Sequence, residues 1–187
     1  MAFKDNFKEF KSLWVNSGIL LRQVDAEGDF DEFEAIWSDS DAFKYYEGYR
    51  SKPNAEQIRI ILSNEIKGFQ KANSYCWTIS NSTTNKAMGR IHFNSFENNN
   101  TSANIGFFLG REHWGKGIMS MCISPVVEFG FNTLKLERIY TTVEPNNIGS
   151  WKALEKNGFL REGLLRHCFV LPDGLHDCYI YSRLYTD

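Results

Sequence analysis

Three strand-like segments follow one another closely: YCWTISN (75–81), KAMGRIHFNSF (86–96) and SANIGFFLG (102–110). They are rich in aromatic and β-branched side chains, which suit a pleated, half-buried surface. Only the turn-prone stretches NSTTN and ENNNT separate them. Parallel neighbours need a connection of about a dozen residues or more, so gaps this short imply a meander of antiparallel hairpins. The rest of the chain must then be built around a sheet. The third strand runs into REHWGKGIMS (111–120), where two glycines flank Lys116 just before a helical stripe. Glycines at such a junction let backbone turn where a side chain would clash, or let it come close to something.

The flanking segments supply the other layers. GILLRQV (18–24) reads as a first strand, and DFDEFEAIW (29–37) as a helix with Phe30, Phe33, Ile36 and Trp37 at helical spacing. PNAEQIRIILSNEIKGF (53–69) is a second helix. Beyond the glycine loop, residues 117–134 carry a helical stripe through Cys122, Val126 and Leu134. Pro125 inside it cannot donate to the Met121 carbonyl and predicts a kink or a broken turn. RIYTTVE (138–144) reads as a strand, and NNIGSWKALEKNGF (146–159) as a helix opened by asparagine caps and closed at Gly158. The chain ends in a hairpin around Pro172-Asp173-Gly174. The class is α/β (α+β): one mixed, mostly antiparallel sheet of about seven strands, with four main helices on its faces.

No repeat, low-complexity segment or linker interrupts the 187 residues, so 1–187 read as a single domain, with 1–17 a short amphipathic helical lead-in. The net charge of −2 gives no reason to expect nucleic acid or an anionic membrane as a partner. No apolar run approaches the ~18 residues of a membrane span. The start, MAFKDNFKEFKSLW, lacks the uninterrupted apolar core of a signal peptide, so a cytoplasmic location is expected. Cys76, Cys122, Cys168 and Cys178 form no C-x-x-C pair and lie in apolar surroundings. They read as buried free thiols in a reducing compartment.

Three readings compete for the glycine loop. Gly110-Arg-Glu-His-Trp-Gly115-Lys116 fits the start of a nucleotide P-loop, but Gly117 stands where Ser or Thr must hold Mg²⁺. Gly115-x-Gly117-x-x-Ser120 lacks the third glycine of a dinucleotide fingerprint, and Glu137 precedes a strand instead of ending one. The third reading takes in the second half of the chain. NIGFFLGREHWGKGIMSMCISPVVEFGF followed by RIYTTVEPNNIGSWKALEKNGFLREGLLR resembles the GNAT family of acetyl-CoA-dependent N-acetyltransferases. Within it, the match is to the branch of ribosomal-protein N-terminal acetyltransferases. The resemblance covers about residues 18–185 and is strongest over 103–166.

The resemblance implies the GNAT fold, acetyl-CoA as acetyl donor, no metal, and an amine acceptor, either a peptide N-terminus or a small amine such as a polyamine or aminoglycoside. A helix beginning at Gly117 would aim unpaired N–H groups and its positive dipole end at the pyrophosphate of coenzyme A. The implied cofactor residues are Phe107, Phe108 and Leu109 on the strand and Arg111, Trp114, Gly115, Lys116, Gly117, Ile118 and Met119 on the loop and helix. Asn147 and Ser150 on the next helix complete them. Amides around Phe108 and Leu109 would polarise the acyl carbonyl, and Asn147 would bond the pantetheine arm. Leu154 replaces the tyrosine that many relatives use to protonate the thiolate, which makes Ser150 the candidate acid. A helix serine bonded to the carbonyl four residues back fits the same pattern. A tight strand-to-helix turn and a solvated Lys116 are likewise the plain readings of the loop.

Relatives commonly read A-E-I-G-Y before the loop, the glutamate helping to deprotonate the amine. Here Asn104 holds that position and cannot act as a base. Glu97, His92, His113, His167 and Asp39 remain as candidates that no spacing singles out. An amine with pKa ~10.4 is neutral in fewer than about one part in a thousand at pH 7, whereas an α-amino group near ~7.7–8 is roughly 10–20% neutral. A site without a strong base therefore favours an α-amine. Acceptor choice is expected from residues 37–49, where Asp39, Asp41 and Glu47 interleave with Tyr45, Tyr46 and Tyr49, and from the final hairpin. A solvated, aromatic-anchored loop fits as well. Monomer and homodimer both stay open, and a non-catalytic acyl-CoA-binding module and a nucleotide hydrolase are the alternatives from other classes.

Overall fold

The computed structural model describes residues 3–45, 51–171 and 173–187. In chain order its elements are β1 (Leu13–Asn16), β2 (Ile19–Gln23), α1 (Phe30–Ser38), α2 (Ser40–Phe43), α3 (Ala55–Gln70), β3 (Tyr75–Asn81), β4 (Ala87–Glu97) and β5 (Ser102–Leu109). Then follow α4 (Ile118–Asn132), β6 (Arg138–Val143), α5 (Ile148–Lys156), β7 (Leu160–Leu171) and β8 (Gly174–Leu184). The eight strands form one sheet in the order β1-β2-β3-β4-β5-β6-β8-β7. Every neighbouring pair is antiparallel except β5 and β6. The meander of three hairpin-linked strands thus lies at the centre of the sheet. No helix among the described residues is long and apolar enough to cross a membrane.

The alternation of side chains sorts the core onto two faces. Trp77, Ile91, Phe93, Ala103 and Ile105 point to one face, where α4 and α5 pack with Val126, Phe129 and Leu154. Tyr75 and Trp77 stack at 4.4 Å, and Phe129 sets its edge against both. Cys76 and Phe108 point to the opposite face, under Phe33, Trp37, Ile58 and Leu62 of α1 and α3. Each such large side chain contributes about 1.5–3 kcal/mol on burial. Asp29 is fully buried before α1, where it accepts from Arg22, from the Asp25 amide and from Thr78. These bonds meet the cost of a buried carboxylate and tie α1 to β2 and β3.

The structure departs from the sequence-based expectations in four places. The helical lead-in over 1–17 is instead a 3-10 turn at Phe3–Phe7 followed by β1. Leu13 and Trp14 pair with Leu21 and Leu20, so the otherwise open edge of β2 draws the segment into the ladder. That pairing makes eight strands instead of about seven. The short α2 also adds a fifth helix, capped by the Asp39 carboxylate on the Asp41 amide. Third, α4 continues through Pro125. The Met121 carbonyl that loses its donor lies on an exposed turn, where water can take over. Fourth, Cys168 and Cys178 are not free thiols but a disulfide, whereas Cys76 and Cys122 are free and buried. The β7–β8 register shifts between Leu165 and Phe169, with His167 at φ +52. This bulge swings Cys168 across to Cys178, a relation that spacing alone does not reveal.

Candidate functional site

The parallel pairing of β5 with β6 is short. It joins Ser102, Ala103 and Asn104 to Arg138, Ile139 and Tyr140, and beyond that level the strands part. From Ile105 onward β5 keeps β4 on one side, and from Thr141 onward β6 keeps β8, so a slot opens between them. The slot is the centre of a cleft of about 880 Å³. The Gly110 amide donates to the Met88 carbonyl of β4 (2.9 Å), and the Thr101 carbonyl accepts from Arg138 on the β6 side (3.1 Å). Alternation along β5 therefore points even-numbered backbone groups at β4 and odd-numbered ones at the slot. Phe107 and Leu109 turn their amides into the slot, and the Leu109 carbonyl accepts from the Trp114 indole (2.9 Å). The Phe108 amide belongs to the β4 ladder. Its ring is buried on the α1/α3 face with the Arg90 guanidinium 5.1 Å from its centroid. The amides that face the slot are thus those of Phe107 and Leu109, whereas the Phe108 amide expected there is not one of them.

The glycine loop rims the α4/α5 side of the cleft. Gly115 and Gly117 hold φ of +70° and +73°, and nothing lies within 4 Å of where a Cβ would stand on either. Glycine is needed there for the left-handed backbone, and the space ahead of it is open. The first α4 bond runs from the Met121 amide to the Gly117 carbonyl (3.1 Å), so the amides of Ile118, Met119 and Ser120 have no helical partner. Gly117, Ile118 and Met119 line the cleft, whereas Lys116 stands exposed outside its wall. Arg111 is not brought to the cleft either. It holds Asp41 at 2.8 Å and Asp39 at 3.7 Å, which leaves phosphate contacts to other cations. Lys152 and Lys156, one turn apart on α5, do line the cleft. Sequence reading passed over them because lysines at this spacing also suit a solvated helix face.

Asn147 begins α5 without using its side chain as a cap, so the expected capping bond is absent and the amide group remains on the cleft wall. Ser150 lies one turn on, also on the wall, and its hydroxyl makes no bond to the carbonyl four residues back. Gly158 at φ +76 closes the helix, with Phe159 N–H on the Leu154 carbonyl and Gly158 N–H on that of Glu155. Glu144 is buried at the end of β6 and accepts from the Asn146 amide (2.6 Å) and side chain (3.0 Å), which fixes the bend that presents Asn147. His176 reaches the same carboxylate from β8 at 3.4 Å, and Glu144 and Asp173 raise its pKa.

On the other side of the slot, β4 and β5 contribute the uncharged polar side chains of His92, Asn94 and Asn104. His92 lies opposite Gly106 and Asn94 opposite Asn104, so all four share the α1/α3 face, and all line the cleft. His92 is 6% exposed, and burial with help from Arg90 pushes its pKa down to about 3. His113 also lines the cleft, with partial burial lowering its pKa. Glu97, His167 and Asp39 do not line it. Asp41, Lys44 and Tyr45 close the cleft at the α2 end, with the Lys44 ammonium 4.8 Å from the Tyr45 ring centroid, and Phe169 reaches in from β7. Tyr46, Glu47 and Tyr49 lie outside the described residues.

The chain matches the profile of a family described as "Acetyltransferase (GNAT) domain" over residues 19–160. It is similar to an uncharacterized N-acetyltransferase, p20, of Bacillus licheniformis: 34% identity over 168 residues, 89% of this chain and 92% of that protein. A ribosomal-protein-serine acetyltransferase of Escherichia coli (strain K12) is 31% identical over 97 residues, 52% of this chain and 54% of its own length. Among solved structures, the ribosomal L7/L12 α-N-protein acetyltransferase RimL in complex with coenzyme A superposes with a TM-score of 0.83 at 21% identity, over 93% of this chain and 98% of that one. The chain belongs to the GNAT family and is an N-acetyltransferase.

Proposed function

We propose that this GNAT enzyme moves the acetyl group of acetyl-CoA onto the α-amino group of a peptide or protein. The observation that carries the reading is the slot between β5 and β6, which is open to two chemically different faces. On the α4/α5 face, open space at Gly115 and Gly117 meets three unpartnered helix N–H groups, which suits a pyrophosphate. Lys152 and Lys156 add positive charge, and Asn147, free of capping, holds the pantetheine amides. The acetyl carbonyl then lies against the Phe107 and Leu109 amides, which are fixed in a strand and need no reorganisation as charge develops on oxygen. Ser150, one turn past Asn147 on the same wall, donates to the departing sulfur.

The acceptor enters from the α1/α3 face, between Tyr45 and Phe169. Asn104 occupies the level where the strands part and provides no carboxylate, so the enzyme draws on the fraction of amine that is already neutral. At pH 7 that fraction is roughly 10–20% for an α-amino group and under about one part in a thousand for a lysine-like amine. The names of two relatives, a ribosomal-protein-serine acetyltransferase and a ribosomal L7/L12 α-N-protein acetyltransferase, support a protein as acceptor. The test is a panel of peptides with free N-termini, N-blocked lysyl peptides, polyamines and an aminoglycoside, read by release of free thiol. Transfer to free N-termini at least about tenfold above the other amines is expected. Preferential transfer to lysine or polyamines overturns the acceptor assignment.

A further inference from the structure

The acceptor face contains two buried polar atoms with no partner: His92 Nδ1 and Asn94 Oδ1. Buried polar atoms are paired in the large majority of cases, so two orphans on neighbouring positions of one strand call for a reason. Both side chains line the cleft, two residues apart on β4. Gly106 explains how the imidazole fits, since a Cβ there would lie 2.5 Å from His92 Nε2. The ring rests over the bare backbone of Gly106, the residue before the Phe107 amide that faces the slot.

Resting on the reading of the slot above, we propose that His92 and Asn94 form the seat of the acceptor nitrogen, accepting hydrogen bonds from an uncharged amine. Asn94 Oδ1 offers a lone pair to an amine N–H, and His92 Nδ1 does the same in the tautomer that carries its proton on Nε2. Two such bonds fix the nitrogen so that its own lone pair faces the carbonyl carbon held at Phe107. Attack forms the C–N bond, breaks the C–S bond and releases one proton from nitrogen to water in the open cleft, because the buried ring beside Arg90 resists becoming an imidazolium. The immediate sheet neighbours of His92 give an ammonium no counter-charge. Arg90 stands on the same strand, paired to Glu65 of α3 at 2.6 Å, and Cys76 faces His92 from β3 as a neutral thiol. Asn104 and Gly106 face it from β5. The seat thus selects amines of low pKa by chemistry and not by size.

Three substitutions and one titration test this. His92→Leu should leave coenzyme A affinity within about twofold and lower kcat/KM on a free-N-terminus tripeptide by about ten- to a hundredfold, the loss of a hydrogen bond that positions the nitrogen. His92→Gln, which retains an acceptor, should recover part of that loss. Gly106→Ala, which displaces the ring, should reproduce the His92→Leu effect. In the wild-type protein saturated with coenzyme A, histidine ¹⁵N spectra should show the His92 Nδ1 signal shifting as the tripeptide is added. Full kcat/KM in His92→Leu, or no shift at saturating tripeptide, overturns the seat. An enzyme that ignores every peptide yet acetylates polyamines instead sinks the acceptor assignment, and the same titration run with the polyamine still decides whether His92 receives the nitrogen.

Discussion

Gly117→Val separates the conformational role of the loop from its binding role. Gly117 holds φ +73, with no atom within 4 Å of the Cβ position. A left-handed conformation costs an L-residue about 1–2 kcal/mol, and the Cβ of the valine meets no protein atom within 4 Å. For a chain of 187 residues one kcal/mol lowers Tm by about 2–4 °C, so a fall of about 2–8 °C is expected. The effect on binding is larger. The isopropyl group projects into the open space at the start of α4, where a hydrogen bond from a free amide to a charged partner contributes about 1.5–3 kcal/mol. Losing one or two gives about 1.5–6 kcal/mol, a weakening of roughly tenfold to ten-thousandfold or more. Calorimetric titration with coenzyme A, beside a thermal melt and a circular dichroism spectrum, measures both effects. A folded variant that binds coenzyme A within about threefold of the parent refutes the placement of the pyrophosphate at this helix end.

Three other outcomes follow from the geometry. Ser150→Ala should lower kcat by about tenfold with little change in the KM for acetyl-CoA, while Asn147→Ala should raise that KM, because only the sulfur contact strengthens during the reaction. A Ser150→Ala effect confined to KM rules out the thiolate role. Thiol titration of the denatured, unreduced protein should count Cys76 and Cys122 alone, and reduction should expose Cys168 and Cys178 as well. Four reactive thiols before reduction would contradict the bridge, whose removal by Cys168→Ser should cost about 2–4 kcal/mol. Arg138 and Ser182 hold the Glu162 carboxyl down to about 2. A depressed folded pKa gives stability that is present above the unfolded value of ~4.3 and lost as pH falls towards 2. Partial exposure keeps the contribution small. Urea unfolding at pH 7 and pH 3 should therefore show the destabilisation by Glu162→Gln shrinking at the lower pH, and an equal difference at both contradicts the assignment.

Local patterns in the sequence determined the elements and their order. Short gaps between 75 and 110 forced the meander, the apolar stripes of α1, α3 and α4 marked the helices, and the positive-φ glycines at 115, 117 and 158 marked where helices begin and end. The family resemblance rested on the same local signals, and the residues it pointed to at Gly117, Asn147 and Ser150 meet on one cleft. Register and long-range pairing were not legible. No local pattern says that β5 and β6 pair for three residues and then part, so the slot and its odd-numbered amides emerge only when the sheet is assembled. The same holds for β1, which became a strand because β2 offered an edge, and for Cys168, which a bulge carried to Cys178. Arg111 looked like a phosphate ligand until Asp39 and Asp41 proved to be its partners across the fold. His92 was one histidine among four in the sequence. Its burial over Gly106, beside an unpaired Asn94, depends on the register of β4 against β5, and a one-residue slip would have turned it to the other face.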